Sequence, residues 1–202
     1  MVKFTEAEQA RIRKELNHKL RLYYISCQII TLLVFLVILP FFVLVAFIIS
    51  LERSFAEKRL CSPFFREKRY TQNRLFDVLK FVVVTSRGET LFFSNLLKQI
   101  YLDELPQLIN IIRGEMTLVG PRPNPEFEYN LIKSWGYYSK LLQRAGLTGG
   151  VQTAKGSDRH GDLSLDEDYM HFCINNNVFA IIKRDFQTIM RTFKLMKKAE
   201  GI

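Results

Sequence analysis

Two adjacent carboxylates and a set of basic side chains are the residues of this chain best suited to chemistry. Asp103 and Glu104 follow one another, and Arg122 stands between two prolines in the sequence GPRP at 120–123. Other basic residues that could join them are Arg66, Arg69, Lys80, Lys98 and Arg144. One carboxylate of such a pair can attack phosphorus while its neighbour holds Mg²⁺, and basic side chains neutralise the phosphate oxygens. The set therefore indicates phosphoryl transfer.

Other active-site patterns are missing from the sequence. It contains no Walker A motif and no G-x-G-x-x-G, which argues against a P-loop or a dinucleotide mechanism. Neither the cysteines nor the histidines have the spacing of a ligand cluster; they are Cys27, Cys61, Cys173, His18, His160 and His171. We therefore expect no structural zinc and a reducing compartment.

The acidic pair precedes a predicted helix. Apolar residues recur at helical spacing from 94 to 113, but Pro106 interrupts them, and proline is tolerated best in the first turn of a helix. We expect a new helix to start near Leu105 and Pro106 and to end at Gly114. The pair then lies at a helix N-terminus, which also attracts phosphate. By itself, an acidic pair in that position is more often a charge that complements the helix dipole.

The most apolar part of the chain is a candidate membrane segment. Residues Ile29–Ile49 include a single hydrogen-bonding side chain, Thr31, and as a helix they match a hydrocarbon core of about 30 Å. Basic residues stand on both sides, so the positive-inside rule places both ends in the cytoplasm. Pro40 predicts a break near the middle. We predict a re-entrant hairpin; a spanning helix with a tolerated proline and the core helix of a soluble protein are the alternatives.

Three further elements follow from the pattern of apolar residues. Residues 1–18 predict a short amphipathic helix, apolar bursts within 58–93 predict short strands or extended segments, and Val178–Met196 predicts a helix. One stripe of that last helix is apolar and consists of Phe179, Ile182, Phe186, Ile189, Phe193 and Met196. Its basic face consists of Lys183, Arg184, Arg191, Lys194, Lys197 and Lys198. The helix can pack on the core with a solvated basic face, or it can dock on a membrane surface.

The charge distribution favours a membrane over nucleic acid. The 202 residues carry a net charge of +9, and the basic excess lies in the first 69 and the last 24 positions. Because the first basic block flanks the apolar run, an anionic membrane surface is the partner that it fits. With 48% hydrophobic residues the chain is also too apolar for disorder.

The block LDELPQLINIIRGEMTLVGPRP, Leu102–Pro123, resembles the signature of the bacterial sugar transferases, the monotopic phosphoglycosyl transferases. SPFFREKRYTQNRLFDVLKF, Ser62–Phe81, and RAGLTGGVQ, Arg144–Gln152, are similar to other segments of that family, in the same order. The resemblance implies a re-entrant helix broken at proline. It also implies transfer of a sugar 1-phosphate from a nucleotide sugar, usually of uridine, to polyprenyl phosphate through a phosphosugar-aspartate intermediate.

The resemblance also assigns roles to residues. Asp103 is expected to be the nucleophile and Glu104 its Mg²⁺-linked partner, with both carboxylates at the metal. Substrate contacts are expected from Arg122, Lys80, Lys98, Arg66, Arg69, Arg144 and Gln152. The chain departs from the family where Leu39 replaces a common Ser, Val82 a common Arg, Lys98 a usual Arg and Gly150 a usual Trp.

Together these observations predict a mixed α/β, mainly helical, monotopic membrane protein. Its parts are a basic segment at 1–18, a membrane hairpin at 19–52 and a small cytosolic catalytic domain at 53–202. The expected location is the cytoplasmic face of a bacterial inner membrane, with a UDP-sugar, undecaprenyl phosphate and membrane lipids as partners. The pathway would be the start of capsule, O-antigen, exopolysaccharide or glycoprotein glycan assembly; oligomers are possible and nucleic acid is not expected. The alternatives are a non-catalytic scaffold of the same pathway and a membrane-anchored nucleic-acid binder.

Overall fold

The structure, a computed structural model, describes residues 4–154, 157–159 and 161–197, so predictions that concern His160 and Lys198 lie outside it. The helices are α1 Glu6–Lys19, α2 Arg21–Glu57, α3 Phe92–Gln99, α4 Gln107–Ile112, α5 Glu126–Ser134, α6 Ser139–Leu142, α7 Gly150–Thr153, α8 Ser164–Asn175 and α9 Val178–Lys197. The strands are β1 Phe64–Thr71, β2 Arg74–Phe81, β3 Thr117–Val119 and β4 Gly146–Thr148. The described fold is mixed and mainly helical, as predicted.

The helix predicted within residues 1–18 is present as α1. Its first turn is closed by a capping box, in which Thr5 and Glu8 each bind the backbone N–H of the other. Leu16 is buried in the core, and the ring of Phe4 packs edge-on against Tyr138 with centroids 5.0 Å apart. The N-terminal segment is therefore part of the folded body.

Helix α2 contains the apolar run and continues through Pro40 without interruption. The sharp bend predicted at this residue stays a prediction, because proline removes one backbone donor and helical backbone resumes beyond it. Side chains in the middle of the run are exposed, and Val37 is 80% exposed. The buried ones lie toward the two ends; they are Tyr24, Cys27, Thr31, Phe42, Val45 and Ile49.

The exposure of these apolar side chains bears on the alternative that α2 is the core helix of a soluble protein. The helix is long and apolar enough to cross a membrane, and only 17% of its most apolar window is buried. The core helix of a soluble protein would bury such a surface, so the exposure argues against that interpretation. The re-entrant path stays a prediction, as does the spanning one.

Polar side chains of α2 cap two helices of the body. Near its start, the amide of Gln28 donates to the carbonyl of Ile112, the last residue of α4, at 3.2 Å. Near its end, the carboxylate of Glu52 accepts the backbone N–H of Phe93 at 2.8 Å and that of Ser94 at 3.4 Å. Both contacts satisfy helix-terminal groups that have no partner within their own helix. Both ends of α2 are therefore fastened to the body.

The predicted strands are found in one hairpin. Strands β1 and β2 pair antiparallel, from Phe64 opposite Phe81 to Thr71 opposite Arg74. Gln72 and Asn73 turn the chain with φ of 49° and 63°, the left-handed conformation that tight hairpin turns require. The apolar burst at 91–93 is not a strand but the start of α3, because Glu52 supplies the N-terminal hydrogen bonds that this segment lacks.

The remaining body has two apolar centres. One joins α1, α6, α8 and α9 around Leu141, Leu142 and Met170. The other joins β2, α4 and β3 around Val78, Ile111 and Met116. The short strands β3 and β4 pair in parallel, and α9 packs against both.

Helix α9 spans almost the predicted residues and has three faces. Ile181 and Asp185 face the core, where Asp185 accepts hydrogen bonds from the hydroxyls of Tyr23 and Tyr169. Burial raises the pKa of Asp185 to about 6. The exposed apolar stripe consists of Phe179, Ile182, Phe186, Met190 and Phe193. The stripe therefore lacks Ile189, which instead packs on the core.

The fold depends on one buried amide between β2 and α4. Asn110 is fully buried, accepts the backbone N–H of Leu79 at 3.0 Å, and donates to the carbonyl of Asp77 at 2.7 Å. Asn110→Ala leaves both strand groups unpaired and should lower the free energy of unfolding by about 1–3 kcal/mol. Asn95→Ala, at an exposed position of α3, should change it by less than about 0.5 kcal/mol. Thermal and denaturant unfolding of both variants would measure this; equal losses would contradict the assigned role.

Candidate active site

The acidic pair Asp103 and Glu104, here called the dyad, lies in a 3₁₀ turn at Leu102–Glu104. The turn precedes α4, so the dyad stands directly before that helix, in agreement with the predicted position at a helix N-terminus. Tyr101 introduces it with φ of 59°, a conformation that is rare for a bulky residue and that reverses the chain after α3. Because a 3₁₀ helix has three residues per turn, the two carboxylates point in different directions. Asp103 is 8% exposed, and the side chain of Glu104 is 30% exposed.

Apolar neighbours hold the dyad turn against the second half of α2. Leu102 and Leu105, on either side of the dyad, pack into a cluster with Phe42 and Phe81. The rings of Phe42 and Phe81 are 5.3 Å apart, and Phe64 at the start of β1 stacks on both. The carboxylates are therefore fixed beside the apolar helix by side-chain packing.

Two lysines stand near the dyad. The ammonium of Lys80, on β2, lies 2.9 Å from a carboxylate oxygen of Glu104. Burial raises the pKa of Asp103, and the negative charge of Glu104 raises it further, while Lys80 and Lys98 oppose the shift. Lys80 thus contacts the acidic pair directly and the charge of Lys98 acts on Asp103, while their roles as substrate contacts stay predictions.

The dyad fits a divalent cation that takes few protein ligands. Within the described ranges, no group of three or more His, Cys, Asp or Glu side chains could hold a metal ion. Mg²⁺ is usually bound through one or two carboxylates, with phosphate oxygens and waters completing its shell. Repulsion between Glu104 and Asp103 already raises the pKa of Asp103, and a cation between them would relieve it. These residues are therefore compatible with the predicted Mg²⁺ site.

The segment 120–123, here called the PRP loop, holds Arg122 exposed between two prolines. Two cationic side chains donate to consecutive carbonyls of this loop. Lys140 donates to the carbonyl of Arg122 at 2.9 Å, and Arg69 donates to that of Pro123 at 3.4 Å. Arg69 is held in turn by Glu67 at 2.6 Å. The predicted residue Arg69 therefore reaches the site through the backbone of the loop.

The PRP loop meets the segment 146–150, here called the glycine loop, backbone to backbone. A Cβ atom on Gly146 or Gly149 would overlap the backbone of Gly120. One on Gly120 would overlap the carbonyl oxygen of Arg144. Glycine is required at these positions because the two loops leave no space for a side chain.

The other predicted substrate contacts have different surroundings. Arg66 is exposed on β1, opposite Leu79 and one residue from the pair formed by Phe65 and Lys80. Arg144 is not brought to the dyad by any of its contacts in the described residues; its guanidinium carbon lies 4.3 Å from the centroid of the Tyr24 ring. Gln152 lies beside the seam between the two loops, where its Oε1 atom is buried and finds no hydrogen-bond partner among the described residues.

Two departures from the family pattern have a structural explanation. Val82 is 5% exposed, so the position packs as a core residue. At Gly150, an added Cβ would lie 2.9 Å from the Cβ of Leu165 on α8. A tryptophan at this position would therefore require α8 to move away, and glycine permits the close approach.

A cavity of about 650 Å³ opens elsewhere, between α7, α8 and α9. Its polar lining includes Arg159, Lys183, Arg184, Gln187 and Arg191, and no predicted site residue contributes to it. The cavity therefore lies on the basic face of α9 and apart from the dyad.

A buried ion pair behind the PRP loop was not predicted from the sequence. Lys140 and Asp166 lie 3.3 Å apart, with side chains 4% and 2% exposed. They are 26 positions apart and lie on different helices. No sequence signal could have paired them.

Comparisons with known proteins show which family this chain resembles. A model of the bacterial sugar transferase family matches residues 24–198. The exopolysaccharide production protein ExoY of Sinorhizobium fredii is 41% identical over 96 residues, which cover 48% of this chain and 42% of the relative. A UDP-glucose:undecaprenyl-phosphate glucose-1-phosphate transferase of Caulobacter vibrioides is 42% identical over 61 residues, 29% of this chain and 23% of the relative.

A third relative is an undecaprenyl-phosphate galactose phosphotransferase of Salmonella typhimurium. It is 35% identical over 94 residues, 45% of this chain and 19% of its own length. In each of these three comparisons the match spans less than half of the relative. The relatives are thus named for sugar-phosphate transfer and exopolysaccharide production.

The raised pKa of Asp103 predicts a cost in stability. A carboxyl group whose pKa is higher in the folded than in the unfolded chain destabilises the fold when ionised, fully so above its folded pKa. That cost disappears as pH falls below the ordinary value of 3.8. Asp103→Asn should therefore raise the unfolding midpoint at pH 7, and its advantage should shrink toward pH 4. Thermal unfolding across this range would measure it; an advantage that grows on acidification would contradict the burial of this group.

Proposed function

The chain belongs to the bacterial sugar transferase family, and we propose that it transfers a sugar 1-phosphate from a nucleotide sugar to polyprenyl phosphate. The observation that carries this proposal is the dyad turn, where a buried carboxylate with two nearby lysines is packed against an apolar, exposed helix. The named activity of the relative from Caulobacter vibrioides supports a UDP-sugar as donor, and the names of the relatives from Caulobacter vibrioides and Salmonella typhimurium support undecaprenyl phosphate as acceptor.

In the first step, we propose, a carboxylate oxygen of Asp103 attacks the phosphorus that bears the sugar. A bond from Asp103 to phosphorus forms, the bond from that phosphorus to the bridging oxygen breaks, and the nucleoside monophosphate leaves with the electron pair. In the second step, an oxygen of polyprenyl phosphate attacks the same phosphorus, and Asp103 leaves as a carboxylate. Its low exposure keeps water, which would hydrolyse the intermediate, away from the acyl phosphate.

Positive charge around the dyad suits this reaction. Lys80 and Lys98 would neutralise negative charge on the diphosphate as the phosphorus–oxygen bond breaks. Arg122 is exposed in a rigid loop, where a planar guanidinium can bind two phosphate oxygens at once. Asp103 and Glu104 would hold Mg²⁺, which when bound would neutralise further charge on the diphosphate. Glu104 is kept in place for this role by Lys80.

The membrane setting follows from the two substrates, because one is soluble and the other is a lipid. Helix α2 exposes its apolar middle while both of its ends are capped onto the body, which supports a re-entrant path with the body on the cytoplasmic face of the inner membrane. Basic residues around α2 would attract anionic lipid by about 1 kcal/mol each. The exposed stripe of α9 supports contact of that helix with the membrane surface.

Purified protein in detergent or nanodiscs, with Mg²⁺, undecaprenyl phosphate and a panel of UDP-sugars, tests the reaction by release of UMP. We expect release that depends on the lipid and the metal and is lost, by more than about 1000-fold, in Asp103→Asn. Glu104→Gln should be similarly impaired. Asp77→Asn, at an exposed position of β2, is the matched control and should remain active.

The assay also separates the two functions that the sequence leaves open. Folded, membrane-bound protein that releases no nucleotide from any donor would favour a scaffold in the same pathway. Activity that persists in Asp103→Asn would contradict the assignment of Asp103 as the nucleophile, while the transfer reaction itself would still be supported.

The charge of Lys80 predicts a pH dependence. The attacking group must be ionised, so activity is present above the pKa of Asp103 and is lost as pH falls through it. Lys80 lowers that pKa, and Lys80→Met should therefore raise it and move the acidic limb of the kcat/KM profile to higher pH. Lys68→Met, at an exposed position of the same hairpin, should leave the limb in place. A limb that moves to lower pH in Lys80→Met would contradict this electrostatic role.

A further inference from the structure

The buried ion pair between α6 and α8 stands directly behind the PRP loop. The ammonium of Lys140 has two contacts, the carboxylate of Asp166 at 3.3 Å and the carbonyl of Arg122 at 2.9 Å. Asp166 lies in α8, and the backbone of Val151 also favours its charged form. The pair therefore connects the carbonyl of Arg122 to α8.

Such a pair is costly to build. Burial lowers the pKa of Lys140 and raises the pKa of Asp166, and their mutual attraction opposes both shifts. Buried ion pairs often add little stability over apolar residues of similar size, because desolvation offsets the attraction. A role beyond stability has to be sought in what the pair touches.

The position of Lys140 is itself fixed from several sides. Its backbone carbonyl accepts the N–H of Gln72 in the hairpin turn at 3.1 Å. The carboxylate of Glu167, next to Asp166 on α8, accepts the N–H groups of Tyr138 and Ser139 at the start of α6, at 2.8 and 2.6 Å. The helix that carries Lys140 is thus held by the helix that carries its partner. The ammonium is presented to the loop from a rigid support.

The orientation of the Arg122 side chain depends on the conformation of its backbone. The flanking prolines fix φ at their own positions, and the seam of glycines fixes the entry to the loop. Lys140 and Arg69 hold the two carbonyls that follow. Since the side chain of Arg122 is exposed, these backbone contacts determine where its guanidinium can lie.

We propose that Lys140, held by Asp166, is a positioning residue that sets the PRP loop so that Arg122 meets the diphosphate of the donor. This inference rests on the proposed function. Lys140 is buried and acts through the backbone of Arg122 without touching substrate. The ion pair fixes the orientation of Arg122 before a donor binds.

Activity measurements on paired variants test the proposal. Lys140→Met should lower kcat/KM for the UDP-sugar by about tenfold to a hundredfold, whereas Lys140→Arg, which can still donate to both partners, should recover most of the loss. In an Arg122→Gln background, Lys140→Met should have less than about a twofold further effect, because the two residues act in series. The matched control Lys133→Met, at an exposed position of α5, should behave as the unmodified protein.

A double variant, Lys140→Met with Asp166→Leu, distinguishes a folding defect from a positioning defect. Lys140→Met alone leaves Asp166 buried without a partner, whereas Lys140→Met with Asp166→Leu removes both charges. The double variant should retain the unfolding temperature of the unmodified protein and still show the loss in kcat/KM. Full activity in the double variant, or equal losses from Lys140→Met with and without Arg122, would overturn the proposal.

A measurement without substrate separates this inference from the proposed function. Hydrogen–deuterium exchange of the peptide that covers 119–124 should be faster in the double variant than in the unmodified protein, and unchanged in Lys133→Met. Unchanged exchange in the double variant would overturn the positioning role even if the enzyme is active. Faster exchange in a protein that transfers no sugar would support the role of the pair in the loop and reject the transferase function.

Discussion

The contact between the second half of α2 and the dyad turn is the interaction on which the rest of the site depends. Phe42 meets Phe81 at the base of the hairpin, and Leu102 and Leu105 complete the same cluster on both sides of the acidic pair. In the proposed reaction a lipid acceptor and a soluble donor meet at one carboxylate, and this packing brings the carboxylate to the apolar helix. The position of Lys80 follows from that of its neighbour Phe81 in that cluster, and α3 contributes Leu97 to it. Burial of apolar side chains therefore determines the positions of the charged groups.

The electrostatics of the site oppose the stability of the fold. Asp103 is buried next to another carboxylate, an arrangement that favours its neutral form, and yet the proposed chemistry requires it to be ionised. Lys80 and Lys98 reduce that conflict without removing it. An active site of this kind is held in a strained charge state by the packing around it, and the unusual backbone of Tyr101 belongs to the same pattern.

The sequence predicted the elements that depend on local pattern and missed those that depend on tertiary contact. The limits of α9 and the presence of short strands within 58–93 followed from periodicity, and Lys80 was grouped with the acidic pair because of its charge. The start of α3 did not, because its N-terminal hydrogen bonds come from Glu52, 41 positions earlier. Arg144 had the charge of a phosphate ligand, but its contact is the ring of Tyr24, which no spacing reveals. Lys140 and Asp166 escaped notice for the same reason.

The seam between the PRP loop and the glycine loop constrains how such an enzyme can change over generations. Gly120, Gly146 and Gly149 face one another with backbone on both sides, so a single mutation to any larger residue must push two loops apart together. No single compensating substitution can restore the lost space, because the obstruction is main chain. Adaptation to a different donor therefore has to proceed through outward-facing side chains around the seam. The three glycines of the seam cannot be replaced one at a time.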